Sequence, residues 1–217
     1  MKSFYPMTRC HLLLLCLSVT AGFSTLTAQD TIATRMHEVG LQIFNFNLES
    51  FGVIYKKQKL NNPNRYTRYR FAATEIGYSS RNQLPSKDFR VNLSASIGNE
   101  RRVDLNTRTQ FLHGLQFGPS IRYQLSTTDD ASNTQITKTQ NLNYGLNIGY
   151  LVGIQYNLNE IFYLSVEIVP SVGVRREQTT NEQLNQKNTI AAFNAFFDFD
   201  SNAAALTLAY RFGVARK

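Results

Sequence analysis

The segment LNYGLNIGYLVGIQYNL, residues 142–158, has no charged residue in seventeen positions, yet polar or glycine residues interrupt its apolar ones. The interruptions have a period of two. Leu142, Tyr144, Leu146, Ile148, Tyr150, Val152, Ile154, Tyr156 and Leu158 form one series, and Asn143, Gly145, Asn147, Gly149, Leu151, Gly153, Gln155 and Asn157 the other. Successive side chains of a strand point to opposite faces, so the pattern predicts a strand with one greasy face and one small, polar face. Soluble strands usually run about 5 to 6 residues, whereas a tilted transmembrane strand needs about 9 to 11 plus ends that reach the interface. This segment is long enough for the second.

The start of the chain accounts for how such a strand would reach a membrane. Lys2 and Arg9 precede the apolar run LLLLCLSV (12–19), and STLTAQD (24–30) follows with small residues. That order predicts a cleaved secretory signal over residues 1–28, cut after Ala28, with residues 29–217 as one exported domain. Both cysteines, Cys10 and Cys16, fall inside the signal, so disulfide and thiol chemistry are excluded from the mature domain. Losing Lys2 and Arg9 takes the basic count from 23 to 21 against 15 acids, a net charge of +6. The arginines lie within alternating strands rather than in a basic helix or run, which argues against nucleic acid as a partner.

No later apolar run has the length of a membrane helix, so a crossing has to be made by strands. In lipid an open sheet edge leaves N–H and C=O groups unpaired, and only a closed barrel removes the edge. One such strand therefore requires several more. The chain supplies them in FLHGLQFGPSIRYQL (111–125), FRVNLSASIG (89–98), FYLSVEIVPSVGV (162–174) and AAALTLAYRF (203–212), the last extended back toward Ile190 across a bulge or turn at Asp200, Ser201 and Asn202. Pro170 is expected to cost a ladder bond and mark a bulge. Upstream, RYTRYRFAATEIGYSS (65–80) changes parity near Ala73, FGVIYKKQ (51–58) is short, and EVGLQIFNF (38–46) alternates loosely. The fold expected is all-β, an antiparallel up-and-down transmembrane β-barrel of about eight strands.

With a periplasmic N-terminus, the outward loops are NLES (47–50), SRNQLPSKD (80–88), STTDDASNTQITKTQN (126–141) and REQTTNEQLNQKN (176–188), and the inward ones KLNNPN, NERRVDLNTR and NLNE. Long external loops and short periplasmic turns are the asymmetry expected of such barrels. An extracellular ligand would have its place at loops 126–141 and 176–189. Tyr144 and Tyr156 stand twelve residues apart on one strand, as do Phe111 and Tyr123 on its neighbour. At about 3.3 Å per residue and a tilt near 40°, that spacing spans roughly 30 Å, which suits aromatic girdles around an apolar band of about 25 Å. The candidate girdle is Phe111, Tyr123, Tyr144, Tyr156, Phe162, Tyr210 and Phe212.

The export signal, the alternating strands and the terminal LTLAYRF resemble the small outer-membrane β-barrel proteins of Gram-negative bacteria, the porin-family or OmpA/OmpX-like eight-stranded barrels. That resemblance implies residence in the outer membrane, contact with its lipid, and assembly by the barrel-assembly machinery, which reads a terminal aromatic such as Phe212, here followed by GVARK. It implies no single activity, because the class includes anchors, adhesins and lipid-modifying enzymes.

An eight-stranded barrel has room for its own side chains or one small ligand. Glu75, Glu100 and Glu167 fall on the inward face with Arg68, Arg70, Arg90, Arg122, Arg175 and Arg211, the candidate lumen charge network. Ion pairing that plugs the lumen is the less costly arrangement for such groups. Six arginines against three glutamates favour anions if the interior instead forms a channel or ligand-binding pocket. No catalytic residue, cofactor or metal site is expected: His113 lies on the outward face without a serine or acid beside it, and no nucleophile elbow, phosphate loop or zinc-spaced histidine pair occurs. A non-enzymatic outer-membrane barrel with a structural or surface-display role is the leading reading. A small anion-preferring channel or ligand-binding barrel is second, and a lipid-modifying barrel enzyme third. A soluble lipocalin-like barrel would carry its greasy face inward.

Overall fold

The computed structural model describes residues 35–44, 47–81, 86–130, 135–183, 186–198 and 204–213. The expected signal segment, 1–28, lies outside the described residues. Ten strands follow in order: β1 (His37–Phe44), β2 (Asn47–Lys59), β3 (Asn62–Arg81), β4 (Ser86–Asp104), β5 (Thr109–Asp130), β6 (Gln135–Asn157), β7 (Phe162–Ile168), β8 (Ser171–Gln183), β9 (Gln186–Asp198) and β10 (Ala204–Phe212).

All pairings are antiparallel. Each strand from β1 to β6 pairs with its successor, β7 with β10, and β10 with β1, closing a ring of eight. β8 and β9 prolong β7 and β10 beyond interruptions, so the ten elements make eight strands. β6 pairs with β7 through Val152–Asn157 and with β8 through Thr137–Gly149. We call the end with the tight turns at 60–61, 105–108 and 158–161 the lower end, and the opposite one the upper end. At two of those turns Asn106 and Asn159 use their side-chain oxygens to accept backbone N–H groups two and three residues on. This is the local bonding that makes asparagine a turn residue.

The faces fall as the alternation predicts: the exterior is greasy, and the interior is largely polar with Phe44, Ile54, Leu112 and Leu151 buried among the polar groups. Leu146, Ile148 and Ile154 of the opening segment are exposed, as are Leu41, Phe71, Phe117 and Leu208 around the ring, whereas Gln42, Lys56, Arg68, Glu100, Gln155 and Glu167 are buried inside. A soluble lipocalin-like barrel would show the reverse. The parity change near Ala73 is a register shift between Ala73 and Glu75 against β4, which turns Arg68, Arg70 and Ala72 inward below it and Glu75 inward above it. Such a bulge re-aims a strand without breaking it.

Pro170 does not disturb the register to β6, which runs unbroken from Val152 opposite Ile168 to Gly149 opposite Ser171, with Pro170 accepting a bond from the Tyr150 N–H. The irregularity lies on the other side. Ile168 faces Ala204 and Ser171 faces Asp198, so the register between these two pairs shifts by three residues. The bulge or turn expected at Asp200, Ser201 and Asn202 lies outside the described residues.

Several expected loops are strand. β4 runs through NERRVD to Asp104, because Glu100 and Arg102 face inward onto partners while Arg101 and Val103 face out, so a charged run alternates as a strand does. NLES belongs to β2, and most of 80–88, 126–141 and 176–188 extends β3, β4, β5, β6, β8 and β9 into hairpins. Their Thr, Gln and Asn residues show no greasy face, since a hairpin wet on both sides needs none. Above Ala73, β3 pairs with β4 alone, and β9 pairs with β8 alone. The upper wall therefore runs β3–β4–β5–β6–β8–β9, and among the described residues no strand bridges its two ends.

Candidate functional site

The lower lumen is filled by one connected set of charges. From β2, Lys56 Nζ lies 2.8 Å from Glu100 of β4 and 3.3 Å from Glu167 of β7. From β3, Arg68 reaches Glu167 at 2.8 Å and Glu100 at 3.5 Å. Arg102 of β4 bridges Glu100 at 2.8 Å and Glu38 of β1 at 2.6 Å, and Arg211 of β10 meets Glu38 at 3.1 Å. The alternation places each of these side chains inward on its own strand, and ring closure brings β1, β4 and β10 to the same carboxylate.

Hydrogen bonds and rings complete the set. The Tyr163 hydroxyl donates to Glu38 at 2.8 Å, Ser165 to Glu167 at 3.2 Å, and Gln42 to Thr207 at 3.0 Å. The Arg102 guanidinium sits 3.7 Å from the Tyr66 ring centre and that of Arg211 4.7 Å from the Tyr163 ring. Glu38, Lys56, Arg68, Glu100 and Glu167 are no more than 1% exposed. Buried charges keep their ionised form at tolerable cost only when paired and hydrogen-bonded, and here each finds an opposite charge. The arrangement occupies the lower lumen with charges paired to one another.

Of the nine charged residues read from the sequence, Arg68, Glu100, Glu167 and Arg211 come together in this network. Arg70, Arg122 and Arg175 instead line a separate cavity of about 150 Å³ higher in the lumen, with Asn92, Asn143 and Asp198. Glu75 and Arg90 pair at 3.6 Å above it, both partly exposed, and Arg90 also meets Asp88 at 2.6 Å. Glu38, Lys56, Arg102 and Tyr163 were missed by sequence reasoning. Arg102 sat in a segment read as a loop, and Glu38 and Lys56 in strands whose alternation is weak; extending the period of two from β4 past Gly98 would have found Arg102.

On the outer face aromatic residues make contacts toward both ends, with Phe71, Phe117 and Tyr150 exposed between them. Phe162, Tyr210, Phe212, His37, Tyr55 and Tyr69 follow one another with ring centres 5.4–6.1 Å apart. Phe111 stacks on His113 at 5.8 Å, and Tyr156 stands opposite Thr109, two residues from Phe111. Toward the upper end Tyr123 meets Phe89 at 6.3 Å, and Tyr144 stands opposite Ile121. His113 shares a hydrogen bond with the Tyr150 hydroxyl at 3.1 Å, and His37 one with that of Tyr55 at 2.6 Å.

No family profile and no curated protein matches the chain. Among solved structures the folded chain resembles small outer-membrane β-barrels. One is a major outer membrane protein from Thermus thermophilus, at 12% identity over 83% of this chain and 100% of that one, with a TM-score of 0.44. Another is Ail, the attachment invasion locus protein of Yersinia pestis, at 12% identity over 82% of this chain and 97% of that one, with a TM-score of 0.41. Neisserial surface protein A follows at 10% identity over 84% of this chain and 98% of that one, with a TM-score of 0.28. The fold itself rests on the hydrogen-bonded ring and the outward greasy face.

Proposed function

We propose that this chain is a non-enzymatic integral barrel of the outer membrane, exported by a cleaved signal, whose lower lumen is a permanent charged plug. The lower end faces the periplasm and the long hairpins stand outside the cell, where they serve surface display or contact. The observation that carries the reading is the fully buried quartet of Lys56, Arg68, Glu100 and Glu167 inside a ring whose exterior is apolar. Lipid satisfies such an exterior, and paired charges satisfy such an interior. Both histidines of the described residues bond tyrosine hydroxyls on the outer face, which supports a lipid-interface role over a catalytic one.

Membrane fractionation followed by planar-bilayer recording tests this reading. The protein is expected in the outer-membrane fraction, to need detergent, to migrate differently before and after boiling, and to carry no steady current. Solubility without detergent would refute the membrane assignment. A steady current lost in Arg122 or Arg211 variants would favour the anion-channel reading instead.

A further inference from the structure

The two halves of the lumen balance charge differently. In the lower half, Lys56, Arg68, Arg102 and Arg211 each have a carboxylate within 3.1 Å. In the upper cavity, Arg70 of β3, Arg122 of β5 and Arg175 of β8 converge with a single acid, Asp198, in the lining. Glu177 answers Arg175 at 2.8 Å, while Arg70 has the face of Phe44 at 5.7 Å. No carboxylate among the described residues forms an ion pair with Arg70 or Arg122.

Arg70 and Arg175 are half-buried and Arg122 is exposed in this cavity, so its guanidinium groups are accessible to an anion entering it. Guanidinium groups present donors in a fixed fork that matches the oxygens of phosphate, and Ser94, Ser120 and Asn143 add smaller donors to the same cavity. With Glu177 on Arg175 and Asp198 in the lining, the three guanidinium groups keep a surplus of one positive charge. The cavity also lies beside the interval between β3 and β9, which no strand bridges among the described residues: Phe196 and Asp198 of β9 and Thr74 of β3 all line it. Greasy side chains flank that interval outside, Ile76 and Tyr78 on β3 and Phe193 and Phe197 on β9.

We infer that the upper cavity is a binding site for a phosphate-type oxyanion, held by Arg70, Arg122 and Arg175. The anion is either a soluble phosphate entering from above or the headgroup of an outer-leaflet lipid entering between β3 and β9. The inference rests on the barrel reading above and adds the ligand chemistry to it.

Two arms test it on the refolded protein. Inorganic pyrophosphate is titrated calorimetrically into protein in an uncharged detergent, and phosphatidic acid is followed by ³¹P NMR in phosphatidylcholine nanodiscs that contain the protein. Binding of pyrophosphate assigns a soluble ligand, and binding of phosphatidic acid alone assigns the lipid headgroup. In either case Arg70→Gln and Arg122→Gln are expected to weaken binding about tenfold each, and Lys187→Gln, the same charge change on an exposed hairpin position, to leave it unchanged. No binding in both arms, or equal weakening by Lys187→Gln, overturns the site. Heat-modifiable migration is measured on every variant; its absence in the parent protein would instead overturn the barrel reading.

Discussion

Arg68 and Glu167 lie 99 positions apart in the chain and meet across the lumen, with Nη2 donating to Oε2 at 2.8 Å. Glu167 also accepts from Lys56 and Ser165, so one carboxylate of β7 ties β2 and β3 to the far wall. Replacing it by Gln leaves Arg68 and Lys56 with Glu100 alone. Breaking a buried pair on one side costs about 3–5 kcal/mol, and urea unfolding of the refolded Glu167→Gln barrel is expected to show a loss of that order. The double variant Arg68→Met, Glu167→Leu should lose less than the two single changes summed, because no orphaned charge remains between them. An unfolding midpoint unmoved in Glu167→Gln would contradict the pairing.

The plug also predicts an electrical outcome. Shortening its centre in the triple variant Lys56→Ala, Arg68→Ala, Glu167→Ala removes the side chains that fill the bore between β2, β3 and β7. Planar-bilayer recordings of a correctly folded triple variant are expected to show small steady currents that the parent protein lacks. Equal currents in both would show that these side chains do not close the path.

Ile148 and Leu105 separate lipid from water as the outer solvent. Both are 58% exposed, so in water an arginine would be tolerated equally well at both. Ile148 lies on the greasy face well inside the span from Tyr144 to Tyr156, whereas Leu105 sits in a lower turn. Arginine on the lipid face costs about 2–4 kcal/mol at mid-depth and about 0–1 near the interface. Folding free energies in bilayers should therefore fall clearly for Ile148→Arg and little for Leu105→Arg. Equal losses would argue against a lipid-facing band.

Gly114 tests the close approach of β4 and β5. A Cβ added there would lie within bonding distance of the Asn99 carbonyl, a backbone atom that cannot turn away. Gly114→Ala is expected to cost about 1–3 kcal/mol as the strands shift apart, read as a lower urea midpoint. Gly77→Ala has open space around the added methyl and should behave as the parent protein.

Which face of each strand points inward was legible in the residues. The parity of 142–158, the inward Glu167 and Arg211, and even the switch at Ala73 follow from a period of two that belongs to the backbone itself. The length of the strands was less legible. The alternation of the upper hairpins carries no greasy face, and at Glu100 and Arg102 charge took the place of apolarity, so hydrophobic contrast vanished where the strands continued.

The sequence by itself determined a membrane-length strand set with a polar inside and a greasy outside, because side-chain direction along a strand is a local property. Only the tertiary structure decided which charges share a partner. Glu38 meets Arg102, Tyr163 and Arg211, the last 173 residues away, because β10 closes onto β1 in one register. The pairing of β3 through β9 in turn brought Arg70, Arg122 and Arg175 around a cavity whose lining holds one acid, Asp198. Register and closure are long-range choices, set by all eight strands fitting together at once, and no local pattern encodes them.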